Sequence, residues 1–244
     1  MNVLITHECS GVVREAFRAL GHCAWSCDLK EAEDKSPFHQ VGDAIQVMRR
    51  GILGDDHGWD IIIMHPPCTY LNSAGLHWNN RGRGHEKTET ALQHVLECMH
   101  AATMEAWVGW ALENPAGRIG TAIRKWDQAV QPYEFGDDAS KTTGLWLLNL
   151  PRLVKDTAQY IPPRWVCKKC GHVALDEQAK YWVNQEGFVL CNRCPGTPKR
   201  LPRWGNQTDS GQNKLAPGPT RAADRARTYA GIARAMAAQW GALK

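Results

Sequence analysis

The first 150 residues alternate between short apolar runs and segments whose apolar positions recur at helical spacing. The pattern predicts a strand over Asn2–Thr6, an amphipathic helix over residues 12–20 closed by Gly21, and a second strand over residues 23–27 that ends at Asp28. A strand, a glycine-containing turn, a helix and a further strand form the opening unit of an α/β fold with a parallel sheet.

The run at residues 60–64 is the most apolar strand of the pattern, and it indicates burial on both faces of that sheet. It stops at Pro66 and Pro67, which cannot continue a hydrogen-bonded ladder. Cys68 therefore follows the carboxyl end of a strand, where open α/β sheets bind their ligands. The alternative is a free cysteine that packs as a small apolar side chain.

Further elements complete a predicted sheet of about seven strands. Residues 86–101 have the period of a helix, and a buried strand over residues 108–112 delivers Glu113 and Asn114 at its end. Strands at residues 128–135 and Thr143–Leu148 follow. Because Glu113 and Cys68 end two strands separated by one helix, we expect them at the same edge of the sheet. A helix-capping or surface role for Glu113 is the alternative.

Two polar stretches separate these elements and are predicted to be loops. Residues 29–40 are charged, and residues 69–85 form a long tract rich in Asn and Gly that carries Arg81 and Arg83. A long irregular segment beside a possible nucleophile is typical of a lid or a substrate-binding loop.

Four of the nine cysteines form two C-x-x-C pairs. Two such pairs with a short interval provide a closed tetrahedral site of four thiolates, which predicts a structural zinc ion; a redox-active disulfide pair is the alternative. Basic and aromatic residues lie among and beside these cysteines, as in a ribbon that contacts nucleic acid, and they include Lys180, Tyr181, Trp182, Lys199 and Arg200. The predicted ligands are Cys167, Cys170, Cys191 and Cys194.

Charge divides the chain unevenly. Residues 1–150 hold 13 Lys and Arg against 19 Asp and Glu, whereas residues 151–220 hold 11 against 5 and residues 221–244 hold 5 against 1. A basic surface of this kind attracts a phosphate backbone, although it is also compatible with an ordinary solvated face.

These patterns predict three parts: a catalytic Rossmann-like domain over residues 1–155, a zinc ribbon over residues 156–205, and a linker with a C-terminal helix over residues 206–244. The helix is predicted over residues 221–240 and is expected to pack back on the sheet. No apolar run approaches the ~20 residues of a membrane span, and the first residues carry no leader pattern. We therefore expect a soluble, cytoplasmic monomer that binds no membrane.

A nucleotide-type sheet, a strand-end Pro67-Cys68, a strand-end Glu113-Asn114 and a late basic insertion together resemble the DNA (cytosine-5) methyltransferases, in particular small phage-type members, which act in the host cytoplasm. The resemblance covers about two thirds of the chain. It implies a Rossmann-like methyltransferase sheet, double-stranded DNA as partner, and S-adenosylmethionine as cofactor alongside the structural zinc.

The resemblance also implies roles for individual residues. Cys68 is the nucleophile, Glu113 stabilises the attacked ring, and Pro67 and Asn114 belong to the same two motifs. Asp28 and Asp43 resemble the acidic residues that bind the cofactor's ribose and adenine, and the segment at residues 227–233 resembles a closing cofactor motif. The full set of expected cofactor-binding residues is Cys9, Ser10, Gly11, Asp28, Leu29, Asp43, Ala44, Pro66 and Tyr229.

The chain departs from the family at several points. Pro115 stands where the family has valine, Val13 and Arg14 replace glycines of the cofactor turn, and the Gln-x-Arg-x-Arg segment is absent. Lys141 is only a positional candidate for that segment's role.

Three other functions stay open at this point. One is an amino-methyltransferase acting on N4 of cytosine or N6 of adenine, since His65-Pro66-Pro67-Cys68 keeps the two prolines of the pattern of those enzymes. Another is a non-catalytic zinc-ribbon DNA-binding protein. The third is an enzyme that transfers a group other than methyl to the same carbon.

Overall fold

A computed structural model of the chain describes residues 1–51, 58–175, 190–191, 193–194, 196–197, 203–208, 210–218 and 221–243. Nine strands are assigned within these residues, and seven of them share one sheet. The strands are β1 (Asn2–Thr6), β2 (Cys23–Asp28), β3 (His39–Val41), β4 (Trp59–Met64), β5 (Ala106–Pro115), β6 (Gln128–Val130), β7 (Thr143–Leu148), β8 (Arg164–Val166) and β9 (Val173–Leu175).

Seven α-helices are assigned within the same residues, and three short 3-10 helices accompany them at Asn79–Arg81, Pro132–Phe135 and Thr157–Gln159. The α-helices are α1 (Val12–Arg18), α2 (Ala44–Arg50), α3 (Ser73–Leu76), α4 (Glu86–Glu105), α5 (Arg118–Ala122), α6 (Arg221–Ala226) and α7 (Ala230–Trp240).

The large sheet has the strand order β3-β2-β1-β4-β5-β7-β6. Strands β1 to β5 pair in parallel, and β7 runs antiparallel to both β5 and β6. The order reverses between β1 and β4, and such a reversal makes the crevice at the carboxyl ends of the strands where open α/β folds bind ligands. The predicted fold class, an α/β fold with a mostly parallel, Rossmann-like sheet of seven strands, is confirmed.

The two central strands explain why the sheet forms. Leu4 of β1 and Ile62 of β4 are fully buried and lie in register with each other. All of Ile61 to Met64 is likewise fully buried, which agrees with a strand covered on both faces. At about 25 cal/mol per Å² of apolar surface, each such side chain stabilises the fold by roughly 1.5–3 kcal/mol.

The C-terminal helix α7 packs against α1, next to the first strand of the sheet. Its last residue, Trp240, is fully buried, and the Trp240 indole nitrogen donates to the Pro151 carbonyl over 2.9 Å. Residues 230–240 therefore pack beside the sheet. The prediction of one helix from residue 221 to residue 240 is wrong, because Tyr229 is extended (φ −75°, ψ 140°) and begins α7 separately.

Two other predicted elements differ from the structure. The strand predicted over residues 128–135 ends at Val130, because Pro132 has no backbone N–H for a ladder and instead opens a 3-10 helix. The segment at residues 69–85 is more ordered than predicted. It contains α3 and a 3-10 helix, and the Arg83 guanidinium donates to the Gly75 carbonyl (2.6 Å) and the Asn79 side chain (2.5 Å).

The chain divides into two compact units. The first contains residues 1–130, 142–154 and 227–244, and the second contains residues 131–141 and 155–226. The described part of the second unit includes the antiparallel pair of β8 and β9. No helix among the described residues has the length and apolar character required to cross a membrane.

Candidate functional site

Two neighbouring strand ends carry the predicted nucleophile and carboxylate. Strands β4 and β5 pair in parallel with Met64 opposite Leu112, so Glu113, the next residue of β5, and Cys68, four residues beyond Met64, lie toward the same edge of the sheet. The Asn114 side-chain amide donates to the Pro66 carbonyl over 2.8 Å, and this bond joins the two strand ends directly. Cys68, Pro66, Glu113 and Asn114 therefore belong to one edge of the first unit.

Cys68 sits on a closed turn. Its carbonyl accepts hydrogen bonds from the backbone N–H groups of Leu71 (3.0 Å) and Asn72 (2.9 Å) and from the Asn72 side chain (2.8 Å). The Cys68 residue is partly exposed, Pro67 before it is exposed, and Pro66 is buried. The turn thus holds the backbone while the thiol stays accessible.

The residues at the end of β5 are buried more deeply. Glu113 is 7% exposed and Asn114 is 1% exposed. The Asn114 Oδ1 atom has no hydrogen-bond partner among the described residues, although its amide nitrogen is bonded. A buried acceptor without a partner is costly, so this atom is available to a donor from a bound molecule.

The loop between β1 and α1 contains the predicted cofactor residues Cys9, Ser10 and Gly11. Gly11 has φ +72°, a left-handed conformation that favours glycine. The preceding Glu8 is buried, and its carboxylate accepts from the N–H groups of Val13 (2.8 Å) and Arg14 (3.3 Å). Glu8 thereby caps the start of α1, a contact for which the sequence offers no clear sign.

Two predicted acidic residues end up in different roles. Asp28 ends β2, and its carboxylate accepts from the Lys30 N–H over 3.0 Å, while the neighbouring Leu29 is 77% exposed. Asp43 is the N-cap of α2, with its carboxylate 3.0 Å from the Gln46 nitrogen, and Ala44 behind it is buried. One oxygen of Asp43 therefore already stabilises the helix.

The segment at residues 227–229 reaches the same sheet edge. Arg227 forms an ion pair with Glu33, and the Thr228 hydroxyl lies 3.4 Å from Nε2 of His65. Burial, followed by the carboxylates of Asp28 and Glu33, raises the pKa of the Cys9 thiol. Cys9, Asp28 and Glu33 are thus close enough to interact, and Tyr229 is the next residue of the chain after Thr228.

Lys141 belongs to the second unit, where its backbone nitrogen donates to the Gln131 side chain over 3.0 Å. Its place in the catalytic apparatus stays a prediction.

A cluster of two histidines and one cysteine lies in the first unit and was missed by the sequence analysis. It contains His7, directly after β1, with His94 and Cys98 on α4. Burial, then the neighbouring His94 and His65, lowers the pKa of His7 to about 3. The spacing of His94 and Cys98, one helical turn apart on the same face, was the available signal.

In the second unit the four predicted metal ligands come together. Their sulfur atoms all lie within 4.8 Å of one another, with 3.6 Å between Cys167 and Cys194 and 3.7 Å between Cys170 and Cys191. Backbone bonds from Gly171 to Cys167 (3.0 Å) and from Cys191 to Gly196 (2.9 Å) close the two turns. The aromatic and basic residues predicted at 180–182 and 199–200 lie outside the described residues.

No protein-family model and no curated protein matches the chain. Among solved structures, it is similar to the crystal structure of a candidate DNA modification methyltransferase encoded within a prophage of E. coli, with 15% sequence identity and a TM-score of 0.46. The alignment covers 60% of this chain and 46% of that one. The chain thus spans about half the length of the structure that it matches.

Proposed function

We propose that this chain is an S-adenosylmethionine-dependent DNA methyltransferase that modifies carbon 5 of cytosine in duplex DNA, with Cys68 as its nucleophile. The observation that carries the proposal is the hydrogen bond from Asn114 to the Pro66 carbonyl, which ties the strand end of Glu113 to the strand end of Cys68. A thiol and a carboxylate at one edge are what the chemistry at a cytosine ring requires.

Carbon 5 of cytosine is a weak nucleophile, so the ring must first be activated. The Cys68 thiolate adds to carbon 6, and the electron pair of the 5,6 double bond becomes available at carbon 5. The cofactor, when bound, supplies the electrophilic methyl group that carbon 5 takes. A base then removes the proton from carbon 5, the double bond re-forms, and the sulfur leaves carbon 6 as thiolate.

Glu113 would act on the opposite side of the same ring. Addition of sulfur places negative charge on the ring, and a carboxyl group at N3 and the exocyclic amine stabilises that charge by hydrogen bonding or protonation. The burial of Glu113 supports this role, because electrostatic interactions are stronger away from water. Pro67 shapes the turn that presents the thiol, and Asn114 positions both groups.

The loop between β1 and α1, with the Glu8 carboxylate at the start of α1, fits S-adenosylmethionine better than a dinucleotide. A dinucleotide places its pyrophosphate on the first N–H groups of α1, but here the Glu8 carboxylate already accepts from Val13 and Arg14. Cationic sulfonium and ammonium groups are instead compatible with a carboxylate there. Asp28 would bind the ribose, and the exposed Leu29 would pack on the adenine.

The remaining predicted cofactor residues would line the same pocket. Cys9, Ser10 and Gly11 would contact the cofactor from the loop after β1, Asp43 and Ala44 would bind its adenine, and Pro66 and Tyr229 would complete the site. Asp43 would contribute the oxygen that α2 does not use, since one oxygen caps that helix.

The four thiols of the second unit fit a structural zinc ion. A tetrahedral ion with Zn–S bonds of about 2.3 Å separates its sulfurs by about 3.8 Å, close to the 3.6 and 3.7 Å observed. Four thiolates leave no open coordination position, so zinc would stabilise the fold there. We propose that this ribbon and the surrounding basic residues contact the DNA, with Lys141 assisting at the target base.

Duplex stacking blocks attack on carbon 6, so the target cytosine must leave the helix. The segment at residues 69–85 follows Cys68 immediately and is suited to close behind a flipped base. Its helical turns give it a defined shape, held by Arg83.

Covalent trapping tests the proposal. Duplex DNA containing 5-fluorocytosine should form a stable adduct at Cys68 in the presence of S-adenosylmethionine, identified by mass spectrometry of the peptide. Cys68→Ser should lose both adduct and methylation, whereas Cys23→Ser, at another exposed thiol, should retain both. Full methylation by Cys68→Ser would contradict the proposal and favour an amino-methyltransferase, and absence of any cofactor binding would favour a non-catalytic DNA-binding protein.

A further inference from the structure

Three potential metal ligands converge outside the residues assigned to methyl transfer. Nε2 of His7 lies 3.0 Å from Nε2 of His94, and the Cys98 sulfur lies 3.6 Å from that same His94 nitrogen. All three ligand atoms are within 4.8 Å of one another. They come from two elements, since His7 follows β1 and the other two side chains project from adjacent turns of α4.

The nitrogen–sulfur distance matches tetrahedral zinc, and the two nitrogens lie about 0.4 Å closer together than in an ideal site. With Zn–N bonds of about 2.0–2.1 Å and a Zn–S bond of about 2.3 Å, the ligand atoms stand about 3.4 Å apart for two nitrogens and about 3.6 Å apart for nitrogen and sulfur. The observed values are 3.0 and 3.6 Å.

Hydrogen bonding alone accounts poorly for this contact. The His7 Nδ1 atom lies 3.0 Å from the hydroxyl of the buried Thr6, which fixes the ring and directs Nε2 toward His94. One proton can form a hydrogen bond between one pair of these atoms, but Nε2 of His94 contacts both Nε2 of His7 and the Cys98 sulfur. A cation bound by all three lone pairs satisfies the whole group, and an outer hydrogen bond to the far ring nitrogen is the usual support of a histidine ligand.

The backbone supports the same conclusion. His7 has φ +58°, a left-handed conformation that is uncommon outside glycine. Such strain persists where surrounding interactions over-determine it, and it clusters at binding sites.

We propose that His7, His94 and Cys98 bind one divalent transition-metal ion, for which zinc is the best fit. Two imidazoles and one thiolate are the borderline-soft donors that Zn²⁺ prefers, and three protein ligands leave a fourth position for water or another donor. The ion would join the end of β1 to α4, and it is independent of the proposed methyl transfer and of the four-cysteine site.

Metal counting on the full chain tests the proposal. Protein prepared with zinc and then dialysed should contain two ions per chain, and Cys98→Ser and His94→Gln should each contain one. His100→Gln, at an exposed histidine of the same helix, should still contain two. One ion per wild-type chain, lost on changing Cys170 and Cys191 and unaffected by Cys98→Ser, would leave the three residues as a hydrogen-bonded cluster and overturn the proposal.

Cobalt spectroscopy tests the three-residue site in protein whose four-cysteine site has been disrupted, and it does not depend on the folding of a single variant. In the Cys170→Ser/Cys191→Ser background, Co²⁺ should produce tetrahedral ligand-field bands together with a thiolate-to-cobalt charge-transfer band. Adding Cys98→Ser should abolish the charge-transfer band, whereas adding Cys23→Ser should not change it, with circular dichroism confirming that each variant is folded. A folded background protein that gives neither band with Co²⁺ would also overturn the proposal.

Discussion

The side-chain amide nitrogen of Asn114 lies 2.8 Å from the Pro66 carbonyl oxygen, and this contact is a direct hydrogen bond between the end of β5 and the segment that follows β4. Pro66 has no backbone N–H, but its carbonyl is a strong hydrogen-bond acceptor. Because Pro66 is buried, leaving that carbonyl without a donor would cost free energy. Asn114 supplies that donor while it follows Glu113 directly. The position of the proposed carboxylate relative to Cys68 therefore depends on a neighbour that does no chemistry.

Asn114→Ala should lower both the stability of the protein and its rate of methylation. It leaves the buried Pro66 carbonyl without its donor, which costs about 1–3 kcal/mol in the free energy of unfolding, and it should lower kcat for methylation by at least tenfold. Urea unfolding and single-turnover methylation measure the two effects. Gln93→Ala, at an exposed amide side chain of α4, is the control, and unchanged kcat in Asn114→Ala would show that the bond does not position the site.

Loss of the Glu8 carboxylate should lower both the stability of the protein and its affinity for S-adenosylmethionine. Glu8→Ala removes the carboxylate that accepts from Val13 and Arg14, so the free energy of unfolding should fall by about 1–2 kcal/mol. Calorimetry should also show weaker S-adenosylmethionine binding, because a negative charge beside the cationic cofactor is lost. Glu31→Ala, at an exposed glutamate, should change neither quantity; equal losses in both variants would deny Glu8 a specific role.

Metal removal should affect DNA binding and cofactor binding differently. Chelation of the four-cysteine site, or Cys170→Ser/Cys191→Ser, should abolish specific DNA binding because a closed zinc site contributes folding energy to its module. Cofactor affinity should stay within about twofold, since the predicted cofactor residues lie in the other unit. Gel-shift assays and calorimetry provide the two readouts. Undiminished DNA affinity in metal-free protein would exclude the ribbon from recognition.

Salt should weaken DNA binding steeply. Residues 151–244 carry 16 Lys and Arg (11 and 5) against 6 Asp and Glu (5 and 1). Each phosphate neutralised by such a side chain contributes about −0.9 to the slope of log affinity against log salt concentration. Fluorescence anisotropy across a salt series gives the slope, which should be −3 or steeper. A flat response would remove the charge asymmetry as support for a DNA partner.

The central strand β4 was predictable because it is apolar without interruption from Ile61 onward. Ile61 to Met64 can be buried only on both faces, and the two prolines that follow mark where the strand must stop. Proline was also informative where the prediction failed: Pro132 inside the run at residues 128–135 was the sign that this strand ends early. The extended Tyr229 carries no comparable sign, since nothing local excludes it from a helix.

The sequence displays the motifs of the candidate site, but it does not display the hydrogen-bond partners of the residues around it. Pro67-Cys68 and Glu113-Asn114 are contiguous pairs that sequence displays directly. The hydrogen bonds that Glu8 accepts from the start of α1, and that Asp43 accepts from Gln46, depend on the direction of a side chain at a turn, which the sequence does not display. His7 approaches His94 across 87 positions of chain, and only the fold brings that pair together.

The burial of Trp240 beneath the carbonyl of Pro151 makes the first unit discontinuous along the chain. As the protein emerges from the ribosome, residues 1–130 and 142–154 must wait for α7 before that part of the core can close. The ribbon, by contrast, is fully synthesised earlier and can take up its metal first. Assembly during translation would thus complete the later-encoded module before the sheet that precedes it.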